Sequence, residues 1–299
     1  MVRAAVIQAG SCLFDTPATL DRLARLAGEA KAQGAELAVF PEAFVGGYPK
    51  GMDFGARIGW RTPAGRDWFA RYSDGAITIP GAETARIGAI AAEHGLHLVV
   101  GAIERLGRTL YCSVLFFDPD GALAGLHRKT VPTAMERLLW GQGDGSTLPV
   151  IGTAIGRLGA AICWENYMPL LRADLYHQGV ELYCAPTVDD RESWPGTMRH
   201  IALEGRCFVL SAAQYLTRGD LPSDYPEEAI AGDVLIRGGS MIVSPLGEIL
   251  AAPVYDQEAV LVADLDLRDI ARGKYDLDVA GHYARPDIFE LRIDLQARI

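Results

Sequence analysis

Three residues of different chemistry stand at three similar places in the chain. Cys163 closes the apolar run RLGAAI and opens CWENYMP, Glu42 follows AELAVFP, and Lys129 follows ALAGLHR. Each lies where a predicted strand ends, and open α/β sheets place their ligand crevices outside the carboxyl ends of strands. A thiol, a carboxylate and an ammonium group in one crevice would supply a nucleophile, a general base and an electrostatic stabiliser. Taken singly, each has a plain structural reading: a small core residue, a solvated or capping carboxylate, a surface charge. Their coincidence points to chemistry. Cys12, Cys112, Cys184 and Cys207 lie inside apolar runs and read as core.

The setting of the thiol bears on its reactivity. Asn166 is predicted to cap the helix YMPLLRADLYHQ, with Pro169 in the first turn, where a missing N–H costs nothing. Cys163 would then precede a helix N-terminus, whose partial positive charge favours a thiolate, and a nearby lysine would push the same way.

The elements that must hold these residues alternate in period. Strands are expected at 2–9, 36–40, 97–105, 109–118, 122–129, within VIGTAIGRLGAAIC (150–163), and at 180–186, 207–216 and 259–267. Helices are expected to open at Thr16 or Thr19 with Gly34 as the stop, at 82–95, from Cys163 toward Gly179, and at 194–206. DPDG (118–121) reads as a hairpin turn, and SMIVSPLGEILAAPV as a final hairpin. Residues 46–65 read as an irregular stretch punctuated by Gly and Pro. Hairpins mixed with strand–helix alternation predict a mixed sheet layered with helices in one α/β domain over 1–299, with a core to about 270 and a C-terminal segment from about 271.

Composition narrows the function. The 299 residues carry a net charge of −10 with 49% apolar residues, enough for a large core. No Lys/Arg cluster longer than two residues occurs, so neither nucleic acid nor an anionic membrane is an expected partner. The N-terminus lacks the layout of a signal peptide, and no apolar run reaches membrane-span length. Five widely spaced cysteines with no CxxC pair argue against a disulfide framework or a zinc site, and fit a reducing cytoplasm. GQGDG (141–145) lacks the strand-into-helix context of a dinucleotide loop, and no GxxxxGK[ST], HExxH or GxSxG occurs. His200 and Glu204, four apart, are too few for a metal site. No cofactor and no metal are expected.

Longer stretches carry a resemblance. FPEAFVGGYPKG (40–51), HRKTVPTAMERLLWGQGDGS (127–146), CWENYMPLLRADLY (163–176), APTVDDRESWPGTMRHIALEGRCFVLSAAQ (185–214) and DVAGHYARPDIF (278–289) resemble the carbon–nitrogen hydrolase (nitrilase) superfamily over nearly the whole chain. CWEN and ERLLWGQGDG are similar to its true nitrilase branch, which includes cyanide hydratases. The resemblance implies a four-layer αββα sandwich, paired as αββα–αββα in a homodimer or a higher homo-oligomer. Few residues follow GHYARPDIF, which implies assemblies shorter than the long spirals of many relatives.

The resemblance also implies roles. Cys163 attacks a nitrile carbon, Glu42 is the general base, and Lys129 stabilises charge on the nitrogen of a thioimidate. Glu136, a surface carboxylate on bare residue statistics, would hold Lys129 or share proton transfer with Glu42. Tyr48, Thr133, Trp164, Met168 and Thr187 would line the substrate pocket, with core packing as the alternative for Trp164. His127 and His282 would support the site by hydrogen bonds or serve as structural histidines. Glu165 would orient the backbone or subunit contacts. The expected small-molecule partners are a nitrile and water, giving a carboxylic acid and ammonia. An amide product, amidase activity, and an inactive scaffold with a redox thiol are the alternatives.

Overall fold

The computed structural model describes residues 1–230 and 232–298. Strands β1 (Val2–Gln8), β2 (Leu37–Val39), β3 (His97–Leu106), β4 (Thr109–Phe117) and β5 (Leu123–Arg128) follow one another across a first sheet. β6 (Ile151–Thr153), β7 (Gly156–Ala160), β8 (Leu182–Thr187) and β9 (Phe208–Ala213) build a second. A small ladder, β10 (Tyr215–Thr217) with β11 (Val234–Arg237), precedes β12 (Met241–Val243) and β13 (Ile249–Ala251), which complete the second sheet. β14 (Ala259–Leu265) then returns to pair antiparallel with β1, Val2 opposite Leu265 and Gln8 opposite Ala259. The helices are α1 (Thr16–Ala32), α2 (Pro63–Gly75), α3 (Ala82–His94), α4 (Pro169–His177), α5 (Trp194–Gly205) and α6 (Arg268–Lys274).

The alternation of side chains along the strands sorts the core into three layers. Ala4 and Val6 of β1 join Val39, Val114, Ala160, Leu182 and Leu210 between the two sheets. Ala5 and Ile7 face the other way, against Leu20, Leu23 and Ile87 of α1 and α3. On the far side, Tyr183 and Val209 pack against Leu171, Leu175, Met198 and Ile201 of α4 and α5. The layers are therefore helix, sheet, sheet, helix. Strand periodicity predicts one mixed sheet and there are two, because apolar residues on both faces of a strand read the same whether a helix or a second sheet covers them.

α1 opens at Thr16, one of its two expected starts, capped by Asp15, whose Oδ1 accepts the Ala18 N–H at 2.9 Å. Local signals differ from expectation in two places. α2 lies inside the stretch expected to be irregular; Thr62 caps it and Pro63 occupies its first turn. Asn166 does not cap α4, which starts at Pro169 with no side-chain cap. Beyond α6, Val279 and Ala280 lie against the α4–α5 layer, and the Arg298 N–H donates to Asp144 at 2.6 Å.

Candidate active site

Glu42 sits three residues beyond β2, and its neighbour Ala43 has φ +51°, left-handed for a residue that carries a Cβ. The turn lies directly on β3: a Cβ on Gly101 would come within 2.1 Å of the Pro41 oxygen and 2.8 Å of the Glu42 Cα. Glycine at 101 is what lets the carboxylate lie inward. The Glu42 side chain is fully buried and every oxygen is engaged. Oε1 accepts from Lys129 Nζ at 2.6 Å and faces the Cys112 thiol at 3.7 Å. Oε2 accepts the Val188 N–H at 3.1 Å, and the Glu42 carbonyl accepts from Gln214 at 2.7 Å.

Lys129 follows β5, and its N–H donates to the Cys112 carbonyl at 2.8 Å. Its ammonium also donates to Glu136 Oε2 at 2.9 Å and lies 5.7 Å from the Trp140 ring centroid. An ammonium has three donors. Two are taken by the two carboxylates, and one is left for a third acceptor. Glu136 opens from a 3₁₀ turn at Ala134–Leu138, and its carboxylate accepts from Tyr48 Oη at 3.0 Å and from the Thr133 N–H at 2.6 Å. The Thr133 hydroxyl is buried beside it with no partner among the described residues.

Cys163 begins a five-residue 3₁₀ turn three residues beyond β7, with φ +50° and 3% exposure. Strained left-handed residues persist only where surrounding contacts over-determine them. Here Asn166 supplies those contacts, donating to the carbonyls of Ala161 and of Cys163 at 2.9 and 2.8 Å. The sulfur accepts from Thr187 Oγ1 at 3.2 Å, and the same hydroxyl accepts the Asp189 N–H at 2.9 Å, which leaves its own proton for the sulfur.

Glu165 ties the two halves together. Its carboxylate accepts from the Ile162 N–H and from both the N–H and hydroxyl of Thr130, each at 2.7 Å, and from His127 Nε2 at 2.8 Å. His127 Nδ1 lies 2.7 Å from the Thr147 carbonyl, which can only accept, so both ring nitrogens carry protons. The residue before Cys163 and the residue after Lys129 are thus held by one side chain.

Burial and charge set the protonation states. Burial lifts the Glu42 carboxyl above the usual carboxylate range; Lys129 opposes this and Glu136 adds to it. Burial disfavours the Lys129 ammonium, but Glu42 and its neighbours more than offset that and hold it charged. Burial raises the Cys163 thiol, with Glu42 adding and Lys129 and Thr187 opposing. The resting sulfur is therefore a thiol and not the expected thiolate. A single 3₁₀ turn carries too little dipole to overcome full burial.

Other expected site residues are placed as follows. Tyr48 and Glu136 line a cavity of about 330 Å³ together with Met52, Phe54, Leu139 and Trp140. Trp164 is 42% exposed rather than core; its indole donates to Asp189 at 2.9 Å, and the Arg191 guanidinium stacks 4.6 Å above the ring. Met168 does not line the cavity. It packs on the α4–α5 side, with its sulfur 3.6 Å from the Thr130 hydroxyl, because it caps α4 on the outer face of the second sheet. His282 does not support the site: it is exposed, against Tyr283, with no hydrogen bond among the described residues, since the segment beyond α6 runs over the surface. Sequence reasoning passed over Cys112, Thr130, Trp140 and Gln214; the register of β4 on β5, with Arg128 opposite Ser113, is the signal that places Cys112 beside Lys129. No cluster of three or more metal-ligating side chains occurs among the described residues.

The chain matches the family described as carbon-nitrogen hydrolase over residues 3–275. It is 57% identical to an aliphatic nitrilase of Sinorhizobium fredii over 98% of this chain and 95% of that protein. It is 54% identical to a nitrilase of Bradyrhizobium diazoefficiens, covering 98% and 92%. A bifunctional nitrilase/nitrile hydratase of Nicotiana tabacum is 54% identical, covering 97% and 85%. Among solved structures, a carbon-nitrogen hydrolase from Helicobacter pylori superposes with a TM-score of 0.72 at 23% identity, covering 92% of each chain.

Proposed function

Because the chain belongs to the carbon–nitrogen hydrolase family, we propose that it is a nitrilase, converting R–C≡N and two waters to a carboxylate and ammonia, with Glu42, Lys129, Cys163 and Glu136 as its catalytic residues. The observation that carries the assignment of roles is Lys129 Nζ at 2.6 Å from Glu42 and 2.9 Å from Glu136, beside Cys163 with its left-handed backbone.

A nitrile carbon is a weak electrophile and needs a sulfur nucleophile. With the resting thiol neutral, Glu42 takes its proton as the sulfur adds to carbon, and passes that proton to the nitrile nitrogen; the product is a thioimidate. The free donor of Lys129 stabilises charge on that nitrogen. Glu42 then deprotonates a water that attacks the thioimidate carbon. The tetrahedral adduct loses ammonia to give a thioester, and a second water releases the acid and restores the thiol. The Thr133 hydroxyl, buried next to Glu136 and without a partner among the described residues, supports a role for it in binding the attacking water or the leaving nitrogen.

Release of an amide is the second reading, favoured by the relative named as a bifunctional nitrilase/nitrile hydratase. If the C–S bond breaks before the C–N bond, the amide leaves. Protonation of nitrogen decides, and Glu136 and Glu42 flank the Lys129 ammonium. Supplying a nitrile and its matching amide and measuring ammonia from each separates nitrilase, hydratase and amidase. Ammonia from the amide but not the nitrile overturns the nitrilase reading.

Three coarser readings accompany it. The chain acts as one catalytic domain, with the segment from about 271 strapped over its surface, and it pairs as a homodimer through the α4–α5 face, where Leu170, Leu203 and Leu246 are exposed. Five free thiols support a reducing, cytoplasmic setting. No described helix is long and apolar enough to cross a membrane.

A further inference from the structure

The cavity that reaches Glu136 is not isolated. A second cavity of about 420 Å³, with a mostly apolar wall bordered by Arg61 and Arg66, adjoins it and shares Asp53, Phe54, Leu138 and Leu139 with the first. The first, of about 330 Å³, ends at Glu136, Tyr48 and Trp140, all in contact with one another or with Lys129. The second runs outward past Ala56 to Phe69 of α2. Phe54 is the aromatic residue among the four that line both, 8% exposed, its ring 6.5 Å from Phe69 and 5.9 Å from Tyr72.

The position of Phe54 is built rather than incidental. Its φ is +52°, a conformation bulky side chains rarely adopt. Asp53 Oδ1 holds the Gly55 N–H at 2.7 Å, and Thr62 Oγ1 holds the Gly65 N–H at 3.1 Å. Gly65 permits the contact: a Cβ there would come within 1.8 Å of the Phe54 oxygen. The first turn of α2 therefore clamps the Phe54 backbone, which leaves the ring as a fixed partition.

We infer that Phe54 sets the length limit of the substrate, dividing an apolar channel into an inner chamber that takes one aromatic ring on a short alkyl linker and an outer chamber that longer chains reach only past its ring. This rests on the nitrilase reading. A cavity of about 150 Å³ holds benzene, so the inner chamber holds a ring and a few methylenes and not a chain twice that length. Met52, Leu139 and Trp140 give the chamber apolar walls that favour arylalkyl or short alkyl substituents, with Lys50, Asp53 and Glu136 also bordering it.

The test is ammonia release from ω-phenylalkanenitriles with one to six methylenes between ring and nitrile, for the full chain and for Phe54→Ala and Phe54→Leu. The account expects kcat/KM of the unaltered enzyme to fall about tenfold or more between the short and long ends of the series. Phe54→Ala raises the long-to-short ratio of kcat/KM about tenfold, through KM, and the milder Phe54→Leu gives a smaller rise. Adding Ala56→Trp, which fills the outer chamber, to Phe54→Leu cancels that rise. An unchanged length profile in Phe54→Leu, with short nitriles still turned over, overturns the partition. Ammonia from no nitrile at any length would instead sink the nitrilase reading, and is told apart by the silence of the unaltered enzyme.

Discussion

The Thr187 hydroxyl donates to the Cys163 sulfur across 3.2 Å while accepting the Asp189 N–H, so its proton has one place to go. A hydrogen bond to sulfur favours the thiolate over the thiol, against the burial that raises it. Thr187→Val should move the pH dependence of thiol alkylation upward and lower kcat about tenfold, the worth of one hydrogen bond of about 1.4 kcal/mol. Thr187→Ser should restore both. A Val variant with an unshifted alkylation profile would remove Thr187 from the account.

The acid limb of kcat/KM should report Glu42. The base works only when ionised, and burial raises its carboxyl above the usual range. Activity should therefore fall, as pH drops, at a pH above that of an ordinary glutamate. Glu42→Gln should abolish turnover at every pH while leaving the fold intact. A limb at the value of a solvated carboxylate argues for a different base.

Glu165 is expected to matter for stability as much as for rate. Its burial works against its charge, but His127 and the donors of Thr130 hold it below the usual range; His127, also opposed by burial, is raised by Glu165. The depressed carboxylate contributes stability above its unfolded value of 4.5 and loses it as pH falls through the folded one. The raised imidazolium contributes fully below its unfolded 6.5 and loses it as pH rises through the folded one. Glu165→Gln should therefore cost most between those two values, about 3–5 kcal/mol for breaking a buried pair, with a smaller cost on either side. Denaturant unfolding across pH checks this; a cost independent of pH would mean packing alone is lost.

Why some of this was readable from residues and some was not follows from range. Glu42, Lys129 and Cys163 stand at strand ends, and strand ends are written locally, in Pro41, in the apolar runs and in the turn DPDG. The helix α2 was also written locally, in Thr62–Pro63, but the glycines on either side of it hid the signal. Asn166 was misread because the same side chain caps a helix or ties a turn with equal ease, and only the left-handed Cys163 decides between them. Cys112 depends on which sheet face its strand shows, a tertiary fact that its contact with Glu42, 70 residues away, settles, and Met168 on how the turn before α4 packs against the α4–α5 layer. His282 had nothing but its neighbours to recommend it, and the segment that carries it lies on the surface.

Thr133 offers a narrower test. Its buried hydroxyl lacks a partner among the described residues, and Thr133→Val keeps the shape while removing the donor. The expected result is a change in the ratio of acid to amide, read by product analysis, with thermal stability unchanged or raised, since a buried unsatisfied hydroxyl is costly. An unchanged product ratio would place the attacking water elsewhere.

The most direct measurement is the intact mass of the protein stopped during turnover of a short arylalkyl nitrile. A thiol, carboxylate and ammonium acting together must leave an acyl or imidoyl mass on the chain, and peptide mapping should put it on Cys163, with none on Cys163→Ala, which should release no ammonia. Ammonia released by Cys163→Ala at the rate of the unaltered protein would contradict the whole scheme.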